Sequence, residues 1–148
     1  MREILFRAKR LKDKIWVEGS LLVLDADSGY YFITQPYKSA STLPVKDLIY
    51  NHTHLVDPET VCQFTGMIDK NGAKVFEGDI IRIITFGFDK ELFVTNVKFG
   101  ARSGVQGFYL ANGRSMFYFG QTDLSRMDDG EVIGNIFDNP ELLKGGAE

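Results

Sequence analysis

The sequence is short of the residues on which small proteins most often hang chemistry. It has one cysteine, Cys62, and two histidines, His52 and His54. A single cysteine excludes an internal disulfide and suits a reducing compartment. Two histidines leave a zinc site short of donors, because such sites take three or four convergent ligands. No apolar run approaches the roughly 18 residues of a membrane span. The opening MREILFRAKR interleaves charges with its apolar residues and so lacks the apolar core of a signal peptide. No long amphipathic stretch at helical spacing is present either. The expectation is a cytoplasmic protein with little helix, no metal and no cofactor.

What the sequence does have is aromatic and glycine content. Twelve Phe, six Tyr and fifteen Gly favour strands and tight turns. At 148 residues the chain is long enough for one domain or two small subdomains, with a sizeable core. The net charge of −3 predicts no general affinity for polyanions, but the charge is unevenly spread. Residues 1–14 hold six Arg or Lys against Glu3 and Asp13, a local +4, and residues 121–148 hold seven acids against Arg126 and Lys144, a local −5. Such asymmetry marks a nucleic-acid face or complementary self-association, or simply two solvated faces.

Along the chain, residues 3–8 alternate as a half-buried strand, and residues 15–17 and 21–24 read as strand segments interrupted at Gly19. Asp25 to Gly29 is a loop before the strand 30–34. Residues 35–43 read as a surface loop, and 45–49 as a strand or one helical turn. The densest punctuation lies in residues 61–84. Asp69-Lys70-Asn71-Gly72 should turn a hairpin between residues 63–68 and 73–76, and Glu77-Gly78-Asp79 should turn again into Ile80-Ile81-Arg82-Ile83-Ile84. That branched apolar run is expected of a strand buried on both faces. Further strands are expected at 92–99, 108–110, 116–119 and 131–137, with a glycine-rich barrel loop at 100–107 and Asn139-Pro140 starting a terminal turn. The reading is mainly β, about ten short strands. It divides into a β-meander subdomain at 1–60 and, at 61–148, a hairpin plus a series the size of an SH3-like β-barrel.

Several stretches resemble one family. Met1-Arg2-Glu3-Ile4 with Phe6-Arg7-Ala8, Asp57-Pro58-Glu59-Thr60-Val61 with Gln63-Phe64-Thr65-Gly66, and Asp69-Lys70-Asn71-Gly72 with Phe76-Glu77-Gly78-Asp79-Ile80 are similar to segments of the YopX family. Val132 to Phe137 with Asn139-Pro140-Glu141-Leu142 resembles its ending. The matches run in order over nearly the whole chain. Two departures are Cys62, where a small residue such as Gly is expected, and residues 43–54, which match nothing in the pattern. The resemblance implies a protein encoded by bacteriophages or prophages with an SH3-like barrel in its C-terminal part. It brings no mechanism with it.

Candidate residues were weighed against simpler roles. On one strand, His52 and His54 would point to the same face, with Asp57 or Cys62 completing a shell, but two histidines are too few for a metal site. The same residues would make a histidine-dependent hydrolase, the weakest of the readings. Cys62 as a nucleophile would need a neighbouring base, whereas a buried small thiol needs nothing. Gln63, Glu77 and Asp79 form a candidate polar cluster, although turn chemistry explains Glu77 and Asp79 equally well. Arg2, Arg7, Lys9 and Arg10, with Arg102 and Arg114 from barrel loops and Tyr109 or Tyr118 for stacking, would make a nucleic-acid-binding face. Most of the other aromatics are expected in the core. The expectation ranked first is a non-enzymatic protein-interaction or self-assembling module; nucleic-acid binding comes second.

Overall fold

A computed structural model describes residues 3–36, 44–85, 91–102, 104–112 and 125–145. They divide between two units, Met1–Gln63 and Phe64–Glu148. The chain is mainly β, built from antiparallel ladders, with two short helices and one 3-10 turn among the described residues.

The first unit is a meander of β1 (Phe6–Lys9), β2 (Trp16–Asp25), β3 (Tyr30–Thr34) and β4 (Thr53–Val56). Helix α1 (Val45–His52) is inserted between β3 and β4. Gly19 does not interrupt β2, as alternation had suggested. Residues 16–19 pair with β1 and residues 20–25 pair with β3, so the strand bends where it changes partner. Glycine is needed at that corner: a Cβ on Gly19 would lie 2.0 Å from the Thr34 carbonyl oxygen. Asp25 turns the chain into β3 by accepting from the backbone N–H groups of Asp27 and Ser28.

The meander curls back on itself. Leu11 N–H donates to Leu55 O at 3.1 Å and Asp57 N–H to Lys9 O at 2.8 Å, on either side of a bridge between Arg10 and Val56. The outer edge of β4 is thereby covered by the end of β1, which removes an exposed strand edge. Ala8, Val17, Ile33 and Val56 fill the interior, one from each strand. A 3-10 turn (Pro58–Thr60) then leads into β5 (Cys62–Ile68), whose first residues pair with Phe6 and Arg7 of β1. Asp57 caps the turn, its carboxylate accepting from Glu59 N–H.

In the second unit β5 continues into a hairpin with β6 (Lys74–Phe76), turned at Asp69 to Gly72 as its residues predict. Asp69 is buried, and its carboxylate accepts three backbone N–H groups: Asn71, Ala73 and Val132, each at 2.9 Å. The Glu77-Gly78 turn has Gly78 at φ 84° and places the buried Asp79 carboxylate 2.7 Å from Phe76 N. A four-stranded sheet follows in the order β10-β7-β8-β9, from β7 (Asp79–Thr85), β8 (Glu91–Arg102), β9 (Val105–Leu110) and β10 (Gly130–Asn135). Its core is Met67, Val75, Ile81, Ile83, Val97, Leu110 and Met127, with Phe93, Phe108 and Val132 packed against it.

Two expectations change here. Strand β7 is buried on both faces only at Ile80 and Ile81, because Arg82 is exposed and pairs with Glu131. The glycine-rich stretch 100–107 is no loose loop: Gly100 to Arg102 ends β8, and Arg102 pairs with Val105 of β9. Among the described residues the sheet is open, with β9 and β10 at its edges and no closed barrel. The expected turns at 87–90 and 112–113, the latter from Gly113 on, and the expected strand 116–119 lie outside the described residues. Asn139 and Pro140 do start a terminal turn, α2 (Glu141–Gly145), with Leu142 N–H donating to Asn139 O.

Candidate functional site

A concavity in the first unit was not foreseen from the sequence. It lies where the β1–β2 turn, the outer faces of β2, β3 and β4, and helix α1 meet. A cleft of about 390 Å³ is lined by Arg10, Leu11, Lys12, Thr53, His54 and Leu55. It adjoins a groove of about 780 Å³ that shares Lys12, Thr53, His54 and Leu55 and adds Leu22, Phe32, Lys46, Ile49, Tyr50 and Asn51.

Local chemistry fixes this surface. Lys14 sits at φ 62°, tightening the β1–β2 turn, and Asp13 accepts from Ile15 N–H and from the Arg10 guanidinium. The Arg10 hydrogen bond holds the Asp13 carboxyl below the usual aspartate range. Arg10 is thus an anchored cation. Helix α1 is tied to the end of β3 through Gln35 N–H to His52 O and through paired hydroxyls of Thr34 and Thr53, 2.9 Å apart. Gln35 also accepts from His54 Nε2 at 2.8 Å, which leaves Nδ1 of the neutral ring as the acceptor.

The flanks of the groove are apolar and uncovered. Tyr50 is 82% exposed, and Leu22, Ile49 and Leu55 also face solvent. Lys12 and Lys46 are exposed, and neither has an ion-pair or hydrogen-bond partner among the described residues. The surface therefore offers apolar area flanked by two unneutralised ammonium groups. It suits a partner that brings both apolar and acidic side chains.

Burial lowers the His54 pKa from its usual 6.5, and the positive Arg10 and Lys12 lower it further. His54 is neutral at neutral pH, and the native state disfavours its proton relative to the unfolded chain. Its contribution to stability is present above about pH 6.5 and is lost as the pH falls through the depressed native value. A thermal-melt series from pH 7.5 to 5 should show this acid-side loss, and His54→Gln should flatten it. In an NMR titration Lys12→Ala should raise the His54 pKa, by removing one of the charges that oppose protonation. An unchanged value would show that Lys12 does not act on the ring.

The residues singled out from the sequence are dispersed. His52 ends α1, whereas His54 lies on β4, so they do not share a strand face. Asp57 caps the 3-10 turn, and Cys62 is buried with its thiol donating to Thr60 O at 3.3 Å. Among the described residues no three His, Cys, Asp or Glu side chains group as metal ligands. Gln63 is half-buried on β5 in the first unit, while in the second unit Glu77 is half-buried in its turn and the Asp79 carboxylate is committed to Phe76 N–H. Of the basic set, Arg7 and Lys9 lie over the Trp16 ring at 4.9 and 5.4 Å, and Arg10 is held by Asp13. Arg2, Arg114 and Tyr118 lie outside the described residues, and Arg102 is described in its backbone only.

The model of the YopX protein family matches residues 5–144. The chain belongs to the YopX family. The crystal structure of protein EF1440 from Enterococcus faecalis is similar at a TM-score of 0.55 and 25% sequence identity, over 97% of this chain and 99% of that one. A search of curated proteins gave no match. In this YopX family member the family-like segments have structural roles. Asp57 caps a turn, Asp69 organises a hairpin, and Asp79 fixes the turn before β7. The cleft draws on α1 instead. The signals for it were Val45 and Ile49 at helical spacing and Tyr50 beside them.

Proposed function

We propose that this YopX family member is a non-enzymatic accessory protein of a bacteriophage or prophage. It acts in the host cytoplasm by associating with protein, itself included, through the cleft beside α1. The observation that carries this reading is the uncovered Tyr50, with Ile49, Leu22 and Leu55, beside the unpartnered Lys12 and Lys46. Isolated apolar residues at a surface are ordinary, but a contiguous set lining one groove marks an interaction site. Tyrosine is a frequent anchor because it brings much contact area for little lost conformational freedom. An SH3-like barrel in the C-terminal half belongs to the same proposal.

A second reading is nucleic-acid binding through Arg7, Lys9 and Trp16, with Arg2, Arg10, Arg102 and Arg114. It draws on the two cations stacked on one indole. One experiment separates the two readings. The full chain is cross-linked in the host bacterium and the products are mapped, for the natural sequence and for Tyr50→Ala. Protein cross-links through Lys12 or Lys46 that fall at least tenfold in Tyr50→Ala support association at the cleft. Cross-links indifferent to Tyr50, or none at these lysines, overturn it. Titration with labelled oligonucleotides at low salt tests the second reading, whose affinity should fall steeply with added salt.

A further inference from the structure

The smaller part of the cleft is one negative charge short. Arg10, Lys12 and His54 are among its lining residues, and none of the lining residues is an acid. Leu11 and Leu55 form an apolar wall beside them. Asp13, in the adjoining β1–β2 turn, is engaged by the Arg10 guanidinium, and Lys12 helps to lower its pKa without forming an ion pair. Two permanent cations thus face a single carboxylate, and one positive charge is unmatched. His54 stands beside them with a donor to spare. Its Nε2 is bonded to Gln35, and its Nδ1 has no hydrogen bond among the described residues.

Resting on the association reading above, we propose that this part of the cleft captures a carboxylate of the protein partner, seated beside an apolar side chain, and that His54 takes up a proton as it does so. Such a group matches the whole lining, cations and leucines together. A nucleic-acid phosphate matches the charge but not the two leucines. Protonation makes Nδ1 a second donor while Nε2–H stays on Gln35, so the ring can meet a carboxylate without giving up its anchor. The charges that act on the ring are Arg10, Lys12 and Asp13 from the β1–β2 turn and His52 from the end of α1. In the free protein burial first, then Arg10 and Lys12, hold the His54 pKa below its usual 6.5. A bound carboxylate offsets both cations and favours the protonated ring. Binding therefore takes up a proton, and affinity rises as the pH falls below neutrality.

NMR titration of the full chain with N-acetyl-leucine, a carboxylate beside one apolar side chain, reads this at pH 7.5 and at pH 5.5. The carboxyl of the probe is ionised at both values. Signals of Leu11, His54 and Leu55 should shift, with a Kd on the order of millimolar, as suits a ligand with one charge and few atoms. Affinity should be about threefold higher or more at pH 5.5. The uncharged N-acetyl-leucinamide should bind more weakly than the acid, by about threefold or more at pH 5.5, and without that pH dependence. His54→Gln should abolish the pH dependence of the acid, and Lys12→Glu should weaken its binding by about fivefold or more at both pH values. The spectra of the variants show whether they are folded, and the natural sequence tests the pH dependence without any variant. Equal affinity at the two pH values, a pH dependence that survives His54→Gln, an amide that binds as well as the acid, or a stronger response to sulfate than to N-acetyl-leucine each overturn the proposal. Tyr50-dependent cross-links to protein, found alongside any of these, would leave the association reading standing and remove only this inference.

Discussion

Gly19→Ala should destabilise the first unit by about 3 kcal/mol or more, lowering its thermal midpoint by roughly 6–12 °C. The added Cβ would sit 2.0 Å from the Thr34 oxygen, 2.7 Å from the Thr34 carbon and 3.0 Å from Gln35 Cα. All three are backbone atoms of the neighbouring strand, so no side chain can rotate out of the way. Relief requires β2 and β3 to separate at their first shared rung, Ser20 with Thr34. The damage would spread to the cleft, because Thr34 holds Thr53 and Gln35 holds both His52 and His54. Trp16, the only tryptophan in the sequence, lies on β2 three residues from the change and reports the transition by fluorescence. Gly107→Ala is the control. It too is a strand glycine, but its Cβ would meet nothing within 4 Å. Its midpoint should stay within a degree or so, since alanine there removes only unfolded-state freedom. Equal effects at the two glycines would mean that the corner at Gly19 is not closed.

The same corner shows where sequence reading stops. Alternation and turn chemistry are local, so the turns at Asp25, Asp69 and Glu77-Gly78 were legible, as was the terminal turn at Asn139-Pro140. A change of pairing partner along one strand is not local. Strand β2 passes from β1 to β3 at Gly19 and Ser20, and β8 passes from β7 to β9 between Asn96 and Val97. In the sequence the first event resembles a broken strand, and the second lies unmarked inside the run 92–99, which reads as one continuous strand. Helix α1 was hidden for another reason. It has only eight residues, and Pro44 before it supplies no side-chain cap. Of its described side chains, the apolar Val45, Ile49 and Tyr50 face solvent, so for them apolar spacing does not mark a core face.

The cleft follows from this. Its polar members are held by partners distant in sequence, Gln35 for His54 and Thr34 for Thr53, each pair 19 residues apart. Their pairing depends on the curl of the sheet, which comes from a few hydrogen bonds between the end of β1 and β4. The basic strand showed the converse. Arg7, Lys9 and Arg10 were easy to see as charges, but the Trp16 ring under the first two and the Asp13 carboxylate that neutralises Arg10 were not. Formal charge in a sequence overstates the free charge at a surface, and here the free cations at the cleft are Lys12 and Lys46.

Asp69→Ala should cost about 3–5 kcal/mol. The Asp69 carboxylate is almost wholly shielded from water and accepts from Asn71, Ala73 and Val132. The first two bonds close the β5–β6 turn, and the third ties that turn to β10. Alanine would strand three backbone donors with little water to replace the lost oxygens, and hydrogen bonds to a charged acceptor are the stronger kind. For a chain of this size the midpoint should fall by roughly 8–15 °C. Asp69→Asn keeps one oxygen for the Asn71 and Ala73 donors but turns an N–H toward Val132, so its loss should be smaller and should fall mainly on the tie to β10. Denaturant melts followed by far-UV circular dichroism measure both variants, with Trp16 fluorescence reporting the first unit alongside. A loss near 1 kcal/mol for Asp69→Ala would show that water reaches the turn and that Asp69 is not its organiser. The ordering Ala worse than Asn worse than the natural protein, with cross-linking at Lys12 and Lys46 preserved wherever the chain is folded, would identify this family-like carboxylate as a fold determinant. It would also separate what makes the chain a YopX protein from the surface by which it acts.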